Sequence, residues 1–295
     1  MIYDAIIVGG SYAGLSAGLQ LARARRSVLV IDEGLRRNRF AESSHGFLGH
    51  DGRAPDAIAA DGRAQLLAYP SVTWLDARAA SSRKTAKGFA IDAANESHEA
   101  QCLILATGIG DQLPDVPGLA ERWGKSVFHC PYCHGYELRR GRIGVVASSE
   151  LSMHHALMLP DWGETTLFLN DAFVPDDEQL AQLRKRGATL ERTPIARISD
   201  HATVELRDGR AIALDGLFTV TRISGKDSLA EQLGCDFDHG PMGPVVKTDA
   251  MKQTTVPGVF ACGDVARMAG NVALAVGDGV MAGAAAHRSL MFANL

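Results

Sequence analysis

Cys130 and Cys133 stand two residues apart, with His129 before the first thiol and His134 directly after the second. Thiols at this spacing meet across a tight turn and can cycle between dithiol and disulfide. A helix starting near Tyr132 would present its N-terminal amides to a thiolate and stabilise it. His134 adjoins the second sulfur, where an imidazole can move protons near neutral pH. Cys130, Cys133 and His134 are therefore the candidate catalytic residues. The same letters allow other chemistry. Cys-x-x-Cys-His is also the haem c attachment pattern, but attachment goes with export, and the N-terminus here reads as a buried strand instead of a signal peptide. A zinc site would need four ligands, and a set drawn only from His129, His134 and the two thiols is cramped, with no second Cys-x-x-Cys to relieve it.

Composition narrows the field. The chain has 295 residues, is 46% hydrophobic, and balances 30 basic against 34 acidic side chains for a formal net charge of −4. That balance gives no electrostatic reason to seek nucleic acid or an anionic membrane, and no apolar run reaches membrane-spanning length. A cytoplasmic address is expected. Five cysteines, an odd number, argue against a secreted disulfide framework. Cys102 and Cys262 lie in apolar strand-like runs and Cys235 in a Gly-Cys-Asp turn, so these three read as structural.

A redox thiol pair needs an electron partner, and the chain opens on a dinucleotide-binding pattern. Residues 3–14 predict a buried strand, a glycine turn and a small-residue helix running through Leu21. Gly9 suits the tight turn, Ser11 the close approach of backbone to pyrophosphate, and Gly14 the packing of helix on strand. Ser11 stands where a glycine is usual and adds a hydroxyl able to bond phosphate. Gly9, Gly10, Ser11, Ala13 and Gly14 are candidate cofactor-binding residues, and Asp32, ending the second strand, is placed to accept from the adenosine ribose.

Residues 38–52 are too glycine-rich for a helix and are expected to form a loop over the cofactor, with His45 and His50 within it. Residues 54–67 read as a helix, and 72–101 as a small exposed sheet leading into the buried strand that ends in Ala106-Thr107-Gly108. Backbone there can pass close to a cofactor, so Thr107 and Gly108 are candidate contacts. The prolines around residues 113–117 mark a first linker, and Gly240-Pro-Met-Gly-Pro244 a second. Between them lies another strand, turn and helix, whose fingerprint positions hold Ala147, Ser149 and Ser152 where glycine, glycine and alanine or glycine are expected. No lysine or arginine occurs between Glu164 and Leu183, and Asn170, Asp171, Asp176, Asp177 and Glu178 follow the next strand. That is a poor place for the 2′-phosphate of NADPH, although Asp171 could accept the ribose of NADH, so NAD(P)H is doubtful as a second cofactor. His154 and His155 lie on the helix after this turn; one is expected to face solvent, and neither has an assigned role. Residues 203–214 read as a hairpin with Asp208-Gly209 at its tip. Finally, a strand ends in Gly263-Asp264, whose carboxylate can bond ribityl hydroxyls, and a helix beginning near Val272 and Ala273 would aim its positive end at a flavin pyrimidine.

Taken together, Gly9-Gly-Ser-Tyr-Ala-Gly14, Ala106-Thr-Gly108, Cys130-Pro-Tyr-Cys133 and Val256-Pro-Gly-Val-Phe-Ala-Cys-Gly-Asp264 resemble the low-molecular-weight thioredoxin reductase family of two-domain flavoproteins over essentially the whole chain. The resemblance implies an α/β fold of two Rossmann-like three-layer domains, the second inserted in the first. An FAD-binding domain would comprise residues 1–113 and 245–295, and an inserted NAD(P)-binding-like domain, residues 114–244, would carry the redox pair. It also implies a homodimer, with Cys133 nearest the flavin and Cys130 exchanging with substrate. His134 replaces the aspartate of the family's reductases, as in the subgroup of thioredoxin reductase-like dithiol oxidases of the gliotoxin and holomycin type, which need no nicotinamide and pass electrons to oxygen. The expected reaction is oxidation of a small-molecule dithiol. The alternatives are an NAD(P)H-dependent reductase of a thioredoxin-like protein and a flavin-bound redox sensor with little turnover.

Overall fold

The computed structural model describes residues 2–225 and 227–292. Its first strand, β1 (Ile2–Val8), is buried along residues 5–8 because parallel neighbours pair both of its edges while Ala5 and Ile7 pack into one apolar cluster and Ile6 and Val8 into another. Helix α1 (Tyr12–Arg23) returns to β2 (Val28–Asp32), and α2 (Pro55–Leu67) returns to β3 (Val72–Asp76), so the three strands pair in parallel. Strands β4 (Ala79–Thr85) and β5 (Gly88–Ala93) form an antiparallel pair that continues onto β6 (Glu96–Leu105). The sheet order is β3-β2-β1-β6-β5-β4, with Val259–Ala261 pairing in parallel against the second half of β6. The expected exposed sheet over 72–101 is thus divided: residues 72–76 join the main parallel sheet, and only β4, β5 and the first half of β6 form the meander. Val72, Thr73 and Trp74 alternate as an edge strand does, half covered, which is why the sequence pattern looked exposed.

The chain divides into two compact units. The first comprises residues 1–39, 55–110 and 223–295, and the second 40–54 and 111–222. Residues 40–54, 111–113 and 223–244 therefore fall on the other side of the divisions expected from the proline and glycine clusters. Gly240–Pro244 is the turn between the antiparallel strands Phe237–Gly240 and Gly243–Val246, not a crossing between units.

The second unit is built on a parallel sheet ordered Thr189–Glu191, Gly163–Phe168, Arg140–Val146, Gly216–Thr219 and Val127–Phe128. It carries α3 (Pro131–His134), α4 (Ser152–Met158) and α5 (Asp177–Arg186). A separate antiparallel meander, Ile195–Ser199, Thr203–Leu206 and Ala211–Ala213, includes the hairpin expected around Asp208. Back in the first unit, α6 (Ser228–Leu233) precedes α7 (Val272–Phe292). α7 lies so close against α1 that a Cβ on Gly279 would sit 2.1 Å from the Ala13 carbonyl oxygen. Small residues on both helices allow that approach, and Ala17, Leu21, Ala282 and Ala286 fill the core beneath it. Among the described residues, no helix is long and apolar enough to cross a membrane.

Candidate functional site

Within the second unit, the edge strand Val127–Phe128 runs parallel to Gly216–Thr219 and delivers His129 and Cys130 at its carboxyl end, where open α/β sheets place their ligands. Pro131 then starts α3, its fixed φ and missing N–H both suited to a first helical position. The helix begins one residue earlier than the expected Tyr132 and lasts four residues, with Cys130 as its N-cap. Cys133 N–H donates to the Cys130 carbonyl (3.2 Å), and the two cysteines form a disulfide with Cα atoms 5.3 Å apart. The expected thiol pair is therefore brought together by one turn. Among the described residues no group of three or more His, Cys, Asp or Glu side chains is arranged to hold a metal. Tyr132 and Tyr136 flank the turn and are exposed.

His134 follows the second sulfur and stacks on Phe128, ring centroids 4.2 Å apart and planes 16° from parallel. Burial pushes its pKa down to about 4, with a further contribution from His45. His45 belongs to the 40–54 segment, which groups with the redox unit. Its ring nitrogens lie 3.5 Å from Glu137 and 3.5 Å from Asp51. His50 stays local, against Phe47 and Arg53. The remaining cysteines, 102, 235 and 262, are buried and unpaired to sulfur. Burial pushes Cys102 and Cys262 up to about 12, so neither supplies a thiolate at neutral pH.

In the first unit the glycine turn has the shape of a dinucleotide cradle. Gly9 holds φ +101°, and a Cβ there would lie 2.2 Å from the Ala106 carbonyl oxygen; a Cβ on Gly14 would strike the Gly9 carbonyl. Ser11 caps α1 without a side-chain hydrogen bond, which leaves the first-turn amides of a buried helix start for a ligand's phosphates. Ala13 is buried in that first turn. Asp32 accepts from the Gly10 amide at 2.9 Å, so the acid at the end of β2 also fixes the turn. Gly263, at φ +76°, abuts Ala13 and sets Asp264 beside the same helix start. Asp264 is ion-paired to Arg37 at 3.0 Å, and Asn38 bonds Tyr12 at 3.1 Å. Sequence reading missed Arg37, which lies 227 positions from its partner and carries no local signal.

Thr107 donates to Asp227 at 2.5 Å, and Gly108, at φ +68°, lines a cavity of about 180 Å³ with Ser224, Asp227 and Val265. The helix expected near Val272 is α7, and Asn271 caps it by accepting from the Ala273 amide at 2.8 Å. Lys252 (2.9 Å) and Arg267 (2.6 Å) converge on Asp278, which is 4% exposed, and tie the segment after Asp264 to α7. Burial pushes the Asp278 carboxyl up, but the bonds from Arg267 and Lys252 outweigh it and hold the group below its ordinary value.

The second fingerprint is filled by the chain itself. Ser152 Oγ accepts from the Ser148 amide at 3.1 Å, and Ser148 Oγ donates to the Val220 carbonyl at 2.8 Å. Ala147 is not among the residues at positive φ, so this turn differs from the one at Gly9. Glu150, which the sequence reading passed over, places a carboxylate in the turn and accepts from Gln179 at 2.6 Å. Asn170 Oδ1 is taken by the Ile195 amide at 2.9 Å, Asp171 is exposed, and Asp176 caps α5 in a capping box. His154 is exposed as expected of one of the pair, while His155 is buried.

Comparison with known proteins agrees with this geometry. Residues 3–279 match the family model described as "Pyridine nucleotide-disulphide oxidoreductase". The thioredoxin reductase tcpT of Claviceps purpurea is 35% identical over 306 residues, covering 98% of this chain and 95% of that protein. An oxidoreductase structure from Agrobacterium tumefaciens superposes with a TM-score of 0.96 at 56% identity, covering 99% of both chains. The crystal structure of HlmI gives 0.91 at 32% identity, covering 98% of this chain and 93% of its own. The chain therefore belongs to the pyridine nucleotide-disulphide oxidoreductase family, as an FAD-dependent, thioredoxin reductase-like thiol-disulfide oxidoreductase.

Proposed function

We propose that the protein oxidises a small-molecule dithiol without using a nicotinamide. The observation that carries this reading is the second fingerprint turn. Its Ser148 amide is already held by Ser152, and Glu150 adds a carboxylate to the same turn, a charge that disfavours a phosphate nearby. The intact cradle at Gly9, Gly10, Ser11, Ala13 and Gly14, with Asp32, Thr107, Gly108, Gly263, Asp264, Val272 and Ala273, would hold FAD. Bound FAD supplies the two-electron acceptor that restores the disulfide, with oxygen as the final oxidant.

The residues of the chain carry the thiol chemistry. One substrate thiolate attacks Cys130, breaking the Cys130–Cys133 bond and forming a mixed disulfide; the second substrate thiolate then displaces Cys130. The substrate leaves as a disulfide, and the pair is left reduced, with Cys133, displaced first, as a thiolate beside His134 and Cys130 taking up the second proton. His134, neutral when the disulfide is closed, accepts the proton of the incoming thiol. Resemblance to the dithiol oxidases in the Cys-x-x-Cys-His pattern supports this assignment, together with a homodimeric, cytoplasmic form of the enzyme.

Anaerobic titration of the purified flavoprotein tests it. Bleaching of the flavin by dithiothreitol, with colour returning in air, and no bleaching by NADPH or NADH is the expected result. Rapid bleaching by either nucleotide would instead identify a reductase, with a thioredoxin-like protein as its substrate.

A further inference from the structure

Tyr132 lies inside the short ring that the Cys130–Cys133 disulfide closes, next to Cys133 in sequence, and it is 73% exposed. Neighbouring Cα atoms are about 3.8 Å apart, so a group bound against this side chain stays close to the sulfurs. The Tyr132 ring does not hang free. It meets the ring of Trp162 at 5.3 Å, with the two planes 89° apart. Trp162 in turn is fixed from behind. It packs against the apolar cluster that contains Phe128, Met153 and Leu159, and its amide donates to the Leu159 carbonyl at 2.8 Å. Its indole lies so close to the redox turn that a Cβ on Gly135 would sit 2.7 Å from Trp162 Cδ1. The glycine after His134 therefore serves the approach of the indole. The two rings make a right-angled corner, one wall anchored in the core and the other rising from between the cysteines. Charge at its rim is answered, because Asp161, the residue before Trp162, pairs with Arg186 at 2.8 Å.

Perpendicular rings offer an incoming group a face and an edge at once, which suits a planar, uncharged ring. A corner held in place before binding loses little freedom when it is filled. We propose that Tyr132 determines specificity in the thiol exchange: with Trp162 it receives a planar, uncharged ring of the substrate and so sets the substrate's thiols at the Cys130–Cys133 bond. The substrate class is a dithiol carried on an aromatic or heteroaromatic ring. This deepens the dithiol oxidase reading and rests on it. The bond changes are those of the exchange above: the substrate's disulfide forms as Cys130–Cys133 breaks, and two electrons pass to the pair.

The test mixes the holoenzyme anaerobically with dithiothreitol or with ortho-xylenedithiol in a stopped-flow spectrometer and follows flavin reduction. Both reagents close to six-membered cyclic disulfides, and the second adds a fused benzene ring. Comparing the ratio of their second-order rate constants between proteins cancels the intrinsic reactivity of the thiols. Tyr132→Ala is expected to lower the ratio of aromatic to aliphatic rate by about tenfold, through weaker saturation and not a lower limiting rate. Tyr132→Phe keeps the ring and is expected to hold the ratio within about twofold of the natural protein. Because Tyr132 is exposed, flavin content should be unchanged in both. An unchanged ratio in Tyr132→Ala, or equal falls in Ala and Phe, would overturn the corner while leaving the exchange reading intact. A fall seen with reduced thioredoxin in place of the aromatic dithiol would also overturn it, assigning the surface to a protein. If neither dithiol reduces the flavin of the natural protein, the exchange reading itself fails and the corner with it.

Discussion

Opening the Cys130–Cys133 disulfide should change the proton affinity of His134 more than any mutation nearby. In the disulfide form burial holds this imidazole at about 4, so at pH 7 roughly one molecule in a thousand carries the extra proton. Reduction creates a thiolate next to it. At a separation of about 5 Å and an effective dielectric constant of about 20, the attraction is about 3 kcal/mol, a gain of more than about a hundredfold in proton affinity. The imidazole would then be protonated in roughly one molecule in ten to one in five at pH 7, a usable store for the proton taken from substrate. Histidine-selective NMR from pH 3.5 to 8 measures this directly, on the disulfide form and under dithiothreitol, with His134→Gln identifying the resonance. Equal midpoints in the two states would refute the electrostatic argument, and an ordinary histidine midpoint in the disulfide form would refute the burial argument. On the same reasoning, His134→Gln should slow reduction of the disulfide by dithiol by about 10²- to 10⁴-fold while retaining flavin.

Acid should weaken the fold well above the carboxylate range. His134 and His155 are neutral in the folded protein down to about 4 and about 3, whereas both take up protons near pH 6.5 when unfolded. The unfolded chain therefore binds more protons below pH 6.5, and stability falls as the pH drops toward 4 by about 1.4 kcal/mol per pH unit for each group. Urea unfolding at pH 6.5 and pH 5 should differ by about 3 kcal/mol from these two groups, and His155→Phe should remove about half of that difference. Gly9→Ala should yield colourless protein, because φ +101° and the Ala106 carbonyl leave no room for a Cβ; retention of normal flavin absorbance would contradict the cradle. Asp278→Ala leaves Lys252 and Arg267 facing each other without their anion, a loss of about 3–5 kcal/mol by calorimetry. Glu150→Gln combined with Ser152→Ala should give NADH binding detectable by isothermal titration where the natural protein shows none.

Local chemistry made part of this protein legible without coordinates. A glycine turn between a buried strand and a small-residue helix, an acid at the end of the next strand and two thiols two residues apart each constrain the backbone within a few positions. Their geometry followed: Gly9 adopts a positive φ, Asp32 reaches the Gly10 amide, and Cys130 meets Cys133 across one turn. Substitution at the second fingerprint was visible in Ala147 and Ser149, but that Ser152 bonds back into the turn and Glu150 out to Gln179 depends on where their side chains point. The remainder rests on contacts between residues far apart in the chain, whose pairing is chosen by the packing of whole elements. Arg37 meets Asp264 because the segment after β2 passes the start of α1, and residues 72–76 join the main sheet because β2 offers an open edge. The 40–54 segment joins the redox unit, where His45 reaches Glu137, and His155 finds His129 only once α4 lies along the sheet. Spacing along the chain named the reactive groups; tertiary packing decided their charge, their neighbours and which nucleotide turn stayed open.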